Sequence, residues 1–203
     1  RKIRIPMAMV LMIMKKCRMV TMMAALLCVL VLAGTGWAEE APQEIHDLAG
    51  ATLMELASDP AIVAAVQAQN GEGLTDREIE GRDRTWQDAA GIDSFIQSLM
   101  DNDCSKRLLE IQNSEPYYAE IFVMDNKGAN VCLTDKTSDY WQGDEAKFQE
   151  SFASGAGAVF VDEVEFDNSA QAYLVQVSVP VMQGGSAIGA VTFGIDLDAF
   201  EQQ

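Results

Sequence analysis

Nine consecutive residues, Thr137-Ser138-Asp139-Tyr140-Trp141-Gln142-Gly143-Asp144-Glu145, hold two large rings among three carboxylates. Aromatic faces attract an ammonium group, by up to about 2 kcal/mol once water is excluded, and a carboxylate nearby fixes its charge. Tyr140 and Trp141, with Tyr173 from further along the chain, can wall a small pocket. Asp139, Asp144 and Asp196 are the candidates for holding a charged group inside it. A plainer use of the same residues stands beside this one: the rings pack the loop on a sheet, and Asp144 caps the helix that begins there.

Catalysis lacks its parts. Gly184-Gly185-Ser186-Ala187-Ile188 departs from a nucleophile elbow at Ile188, where glycine is required, and no strand-to-helix turn follows. His46 is the single histidine, so a serine or cysteine nucleophile has no paired base, and a surface imidazole is expected. Phosphate loops, dinucleotide fingerprints and zinc-binding spacings are missing from the sequence. Asp101-Asn102-Asp103 is short of ligands for a calcium loop and suits helix capping. The expectation is a binding protein without metal or cofactor, with carboxylate-only catalysis left open.

The elements that must position the loop follow from periodicity. Ile45, Leu48, Ala49, Leu53, Leu56 and Ala57 recur at helical spacing, and Ser58-Asp59-Pro60 caps a second helix reaching Asn70. The charged stretch from Leu74 to Arg84 has no clear register. After Trp86, Ile92, Phe95, Ile96, Leu99 and Met100 recur helically, with another turn through Leu108, Leu109 and Ile111. Ala119 to Met124 and Asn130 to Thr134 read as strands joined by the turn Asp125-Asn126-Lys127-Gly128. A short helix, Asp144 to Phe152, precedes strands at Ala158 to Val164, Ala170 to Met182 and Ile188 to Asp196, with turns at Glu165 to Ser169 and Gln183 to Ser186. Helices followed by a strand meander predict an α+β fold with an antiparallel sheet.

IFVMDNKGANV followed by TSDYWQGDE resembles the extracytoplasmic sensor modules called Cache or PDC domains. Asp59-Pro60 leading to Ala68-Gln69-Asn70, and Asp83-Arg84-Thr85-Trp86, are similar to the helical part of that family. The resemblance implies a PAS-like sheet of about five strands, long N-terminal helices on one face and a ligand pocket on the other. It also implies that the loop after the second strand borders the cavity, which bears on Tyr140, Trp141, Asp144 and Tyr173. Amino-acid sensors of the family use arginine for the ligand carboxylate. Here the sheet half carries Lys127, Lys136 and Lys147 and no arginine, and Arg84 beside Trp86 is the one substitute. That departure points to an amine or a neutral metabolite.

Residues 1–38 read as a secretory signal peptide cleaved before Glu39. They contain Arg1, Lys2, Arg4, Lys15, Lys16 and Arg18 without an acidic residue, an apolar run from Met19 to Gly34, and Gly36-Trp37-Ala38. The run is shorter than the roughly 20 residues of a membrane span, although an uncleaved anchor is the alternative. Met14-Lys15-Lys16 makes a better start than Arg1. The mature chain is expected to form one domain, with 39–116 its helical part and 117–203 its sheet. The whole sequence has 14 basic and 31 acidic residues, and all six leader charges are basic, so the exported part is more acidic still. Such a chain makes a poor partner for nucleic acid or an anionic membrane. Cys17 and Cys28 leave with the leader; Cys104 and Cys132 enter an oxidising compartment, where they either pair or stay as two buried thiols.

Together these readings predict a periplasmic small-molecule-binding sensor, with no membrane insertion after cleavage. After Asp196 only Leu197 to Gln203 remains, without a second apolar span or output domain. The module is therefore expected to report occupancy to a membrane receptor by contact, through its N-terminal helices. A carrier that scavenges a metabolite, or an acidic structural protein with an empty pocket, are the competing readings.

Overall fold

The computed structural model describes residues 40–167 and 171–203. The leader expected at 1–38, with Cys17 and Cys28, lies outside the described residues, as do 168–170 of the expected turn and the start of the strand after it.

Helix α1 (Gln43–Leu56) buries Ile45, Ala49 and Leu53, and Ala57 follows. Steps of four over-rotate a helix of 3.6 residues per turn. A π-helical segment at Ala49–Leu53 absorbs the excess, because its wider turn returns Leu53 and Ala57 to the same face. Helix α2 (Pro60–Glu72) is capped by Asp59, which accepts from Ala61 N at 2.9 Å, and ends on Gly73 at φ 65°. No single described helix is long and apolar enough to cross a membrane.

The stretch without a clear register forms helix α3 (Asp76–Asp88). A reciprocal cap starts it: Glu78 N donates to Thr75 Oγ1, and Thr75 N donates back to Glu78 Oε2 at 2.8 Å. Only Ile79 and Trp86, seven apart, are buried along it. Asp93 caps α4 (Ser94–Met100), and Asn102, from the acidic triplet, caps α5 (Asp103–Gln112).

Strands β1 (Tyr118–Met124) and β2 (Asn130–Leu133) flank the expected turn. Gly128 supplies a φ of 82°, and Asp125 Oδ1 accepts from Lys127 N and Ala129 N. Then come α6 (Ala146–Phe152), β3 (Phe160–Asp167), β4 (Ala172–Gln183), β5 (Ser186–Asp196) and α7 (Leu197–Phe200). Strand β3 runs through Glu165–Asp167, where a turn was expected, because those residues pair with Leu174, Tyr173 and Ala172.

All pairings are antiparallel, in the order β2-β1-β5-β4-β3. Alternation divides the sheet into two faces. Ile121, Val123, Val175, Val177, Val179, Val191 and Phe193 pack with Ile45, Leu53, Ile62, Val66 and Leu108 of α1, α2 and α5. Phe122, Met124 and Ala190 belong to the other face, with Ile79, Trp86, Ile96, Tyr140 and Phe148. The helical part therefore straddles the sheet: α1, α2 and α5 take one side, while α3 and α4 cover the β2–β1 end of the other. Cys104 and Cys132 are bonded, S–S 2.01 Å, which ties α5 to β2.

Candidate functional site

The loop after β2 folds back beside that strand. Asn130 N donates to Tyr140 O at 2.9 Å, Gln142 N donates to Gly128 O at 2.8 Å, and Ala129 pairs with Trp141. From α3, one oxygen of Asp83 accepts both Tyr140 N (2.9 Å) and Trp141 N (3.0 Å). The loop is thus pinned from two sides.

Tyr140 is fully buried, its ring centroid 5.9 Å from Trp86 and 5.3 Å from Phe95. Arg82 Nη1 donates to its hydroxyl at 3.4 Å. Burial pushes the phenol above its ordinary pKa, and the Arg82 hydrogen bond and charge oppose that shift. Tyr140 is a packed plug on the sheet. Trp141 sits further out: its Nε1 donates to Lys127 O at 2.8 Å, and its ring borders a cleft of about 360 Å³ with Asp76, Ile79, Glu80 and Lys127.

The other expected site residues disperse. Asp139 accepts from Gln87 Nε2 at 2.6 Å. Asp144 is exposed ahead of α6, whose N-cap is Glu145 without a side-chain capping bond. Tyr173 shares the parity of Val175 and Val177, so it faces the α1 side, 53% exposed against Phe166. Asp196 caps α7, accepting from Ala199 N at 3.0 Å. The structure brings Asp139, Tyr140 and Trp141 into one loop, and places Tyr173 and Asp196 elsewhere. His46 is exposed on α1.

On the sheet face away from α1, beyond the plug, lies a second cleft of about 240 Å³. Helix α6 tilts Lys147 into it because Phe148 and Ser151 must face the sheet, and the lysine side chain is 13% exposed. Its Nζ pairs with Glu145 Oε2 at 2.8 Å and lies 5.6 Å from the Phe122 ring centroid. The floor is polar: Gln176 of β4 lines the cleft and donates to Glu120 of β1 at 3.0 Å. Asp162, Glu163, Glu165 and Asp167 of β3, with Leu174, complete the wall. Burial raises the pKa of Glu120; the Gln176 hydrogen bond and the Lys147 charge work against that shift. Further along the face, Ser178 and Thr192 hydroxyls satisfy one another at 2.7 Å.

The cleft gathers one ammonium, several carboxylates and an amide. With Lys147 neutralised by Glu145, the remaining field is negative and suits a positively charged group. Sequence reasoning missed Glu145, Glu165 and Gln176 as lining residues, and Glu120 as the partner of Gln176. The readable signal was Gln176 and Ser178 alternating with valines along β4: polar residues on a face that helices cover.

Family models and curated proteins give no match. Solved structures do, among them sensor and ligand-binding domains of a histidine kinase and of chemoreceptors. The sensor domain of the Vibrio cholerae histidine kinase DctB is 15% identical, with a TM-score of 0.40, over 76% of this chain and 50% of that one. The sensory domain of the Campylobacter jejuni chemoreceptor Tlp3 with isoleucine bound is 15% identical, TM-score 0.38, over 76% and 63%. The ligand-binding domain of the Pseudomonas aeruginosa amino acid chemoreceptor PctC in complex with GABA is 13% identical, TM-score 0.35, over 72% and 60%. The chain spans between 50% and 63% of the length of these structures.

Proposed function

We propose that this protein is a periplasmic sensor module that holds a small amine-bearing metabolite in the cleft over β3 and β4 and reports occupancy to a membrane signalling partner. The observation that carries the reading is the cleft's polar convergence: Lys147, Glu145, Gln176 and Glu120 meet over a sheet whose opposite face is apolar core. A volume of about 240 Å³ is below the usual range for drug-sized ligands, so the ligand is small. The disulfide supports an oxidising compartment outside the cytoplasm.

Reporting follows from the alternation of β4. Gln176 faces the cleft, while its neighbours Val175 and Val177 pack against the N-terminal helices. A ligand that shifts β4 therefore acts on that helical face, where the receptor is proposed to dock. Calorimetry of the purified chain against amines, amino acids and short dicarboxylates tests the ligand class. Saturable heat with amines is expected, and heat with carboxylates alone overturns the reading. Pull-downs from the native envelope, with and without the binding amine, test the partner: recovery of no membrane receptor in either case removes the signalling half.

A further inference from the structure

The cleft beside Trp141 is separate from the one over β3 and β4, and its walls have a different character. Ile79 is 2% exposed at its base, and the Trp141 ring forms one side. The ring cannot swing away. Its Nε1 is bonded to the Lys127 carbonyl, its backbone N–H to Asp83, and Gly143 lies so close that a Cβ there would come within 2.6 Å of indole Cε2.

Two carboxylates and one ammonium rim this cleft. Lys127 Nζ is neutralised by Asp76 at 2.6 Å. Glu80 has no ion-pair or hydrogen-bond partner among the described residues, so its carboxylate is free to meet a ligand at the rim. The positive end of the α3 dipole does not cancel its charge, since Glu78 and Asp76 already occupy the first turn.

We propose that this cleft is a second binding site, for an alkylated ammonium ion such as a trimethylammonium group. Each part of the wall selects for that chemistry. A fixed indole attracts a cation and tolerates its methyl groups, Ile79 buries the apolar shell, and Glu80 supplies the counter-charge. A bare metal ion finds too few oxygen ligands here, and a volume of about 360 Å³ is far larger than one needs. An anionic ligand meets Glu80 directly.

Choline and its neutral isostere 3,3-dimethylbutan-1-ol separate charge from shape in the full chain. Choline should bind saturably and perturb tryptophan fluorescence, and the alcohol should bind about tenfold more weakly or worse. Glu80→Gln, an exposed change that spares the fold, should weaken choline by roughly threefold to tenfold. Lys147→Met, in the other cleft, should leave the choline-induced shift of the Trp141 indole resonance intact, so this site stands or falls independently of the proposed sensor site. Equal binding of alcohol and choline, no binding of choline, or loss with Lys147→Met but not with Glu80→Gln each overturns the assignment.

Discussion

Glu120 and Gln176 meet across the top of Gly194: the two side chains bond at 3.0 Å, and a Cβ on the glycine would come within 2.6 Å of Glu120 Cγ. Three strands are involved, because Gly194 of β5 pairs with Glu120 of β1 on one side and with Gln176 of β4 on the other. Gly194→Ala should push Glu120 aside and cost about 1–3 kcal/mol by overpacking. Urea unfolding checks the stability, and calorimetry should register weaker amine binding in the same variant.

The partly buried Glu120 carboxyl makes stability depend on pH. Its folded pKa lies above the ordinary glutamate value, so the folded state holds the proton more tightly than the unfolded chain. Stability from this group is therefore fully present below the unfolded value, near 4.5, and is lost as pH rises through the folded one. Glu120→Gln should raise Tm at pH 7, by on the order of 2–4 °C for each kcal/mol recovered. The gain should vanish near pH 4. An equal gain at both pH values would show that ionisation is not the cause.

Removing the Cys104–Cys132 bond should loosen α5 from β2. The two cysteines are 28 residues apart, and closing a loop of that order stabilises a fold by about 3 kcal/mol. A Cys104→Ser, Cys132→Ser double variant should lose roughly that amount in denaturant unfolding while keeping the far-ultraviolet spectrum of the sheet.

Asp83 holds the loop that carries Tyr140 and Trp141. Asp83→Ala strands two backbone donors, and hydrogen bonds to a charged acceptor contribute about 1.5–3 kcal/mol. Asp83→Asn keeps an acceptor oxygen and should retain most of that stability. Hydrogen exchange at the Tyr140 and Trp141 amides should speed up in the alanine variant and much less in the asparagine one.

Local chemistry made the hairpin readable in advance. The Asp125–Gly128 turn, the β-branched strands and the caps at Asp59 and Asn102 are all set by near neighbours. Helix α3 was obscure because only Ile79 and Trp86 of its 13 residues are buried, too sparse for a periodic stripe, although Thr75 and Glu78 already spelled its capping box. Tyr173 was readable as well: strand alternation groups it with Val175 and Val177, away from the polar Gln176 face. Beyond the polar Gln176 and Ser178 of β4, the cleft was not readable. Whether Lys147 turns inward depends on the rotation of a seven-residue helix, and the Glu120–Gln176 contact joins strands separated by 56 positions.

The proposed amine site over β3 and β4 is tested most directly by nuclear magnetic resonance during titration with the amine that gives the strongest calorimetric signal. The Gln176 side-chain amide, the Lys147 Nζ group and the amides of 162–167 should shift together and saturate at one affinity. Shifts confined to α1 and α2, with those groups unmoved, would contradict the account.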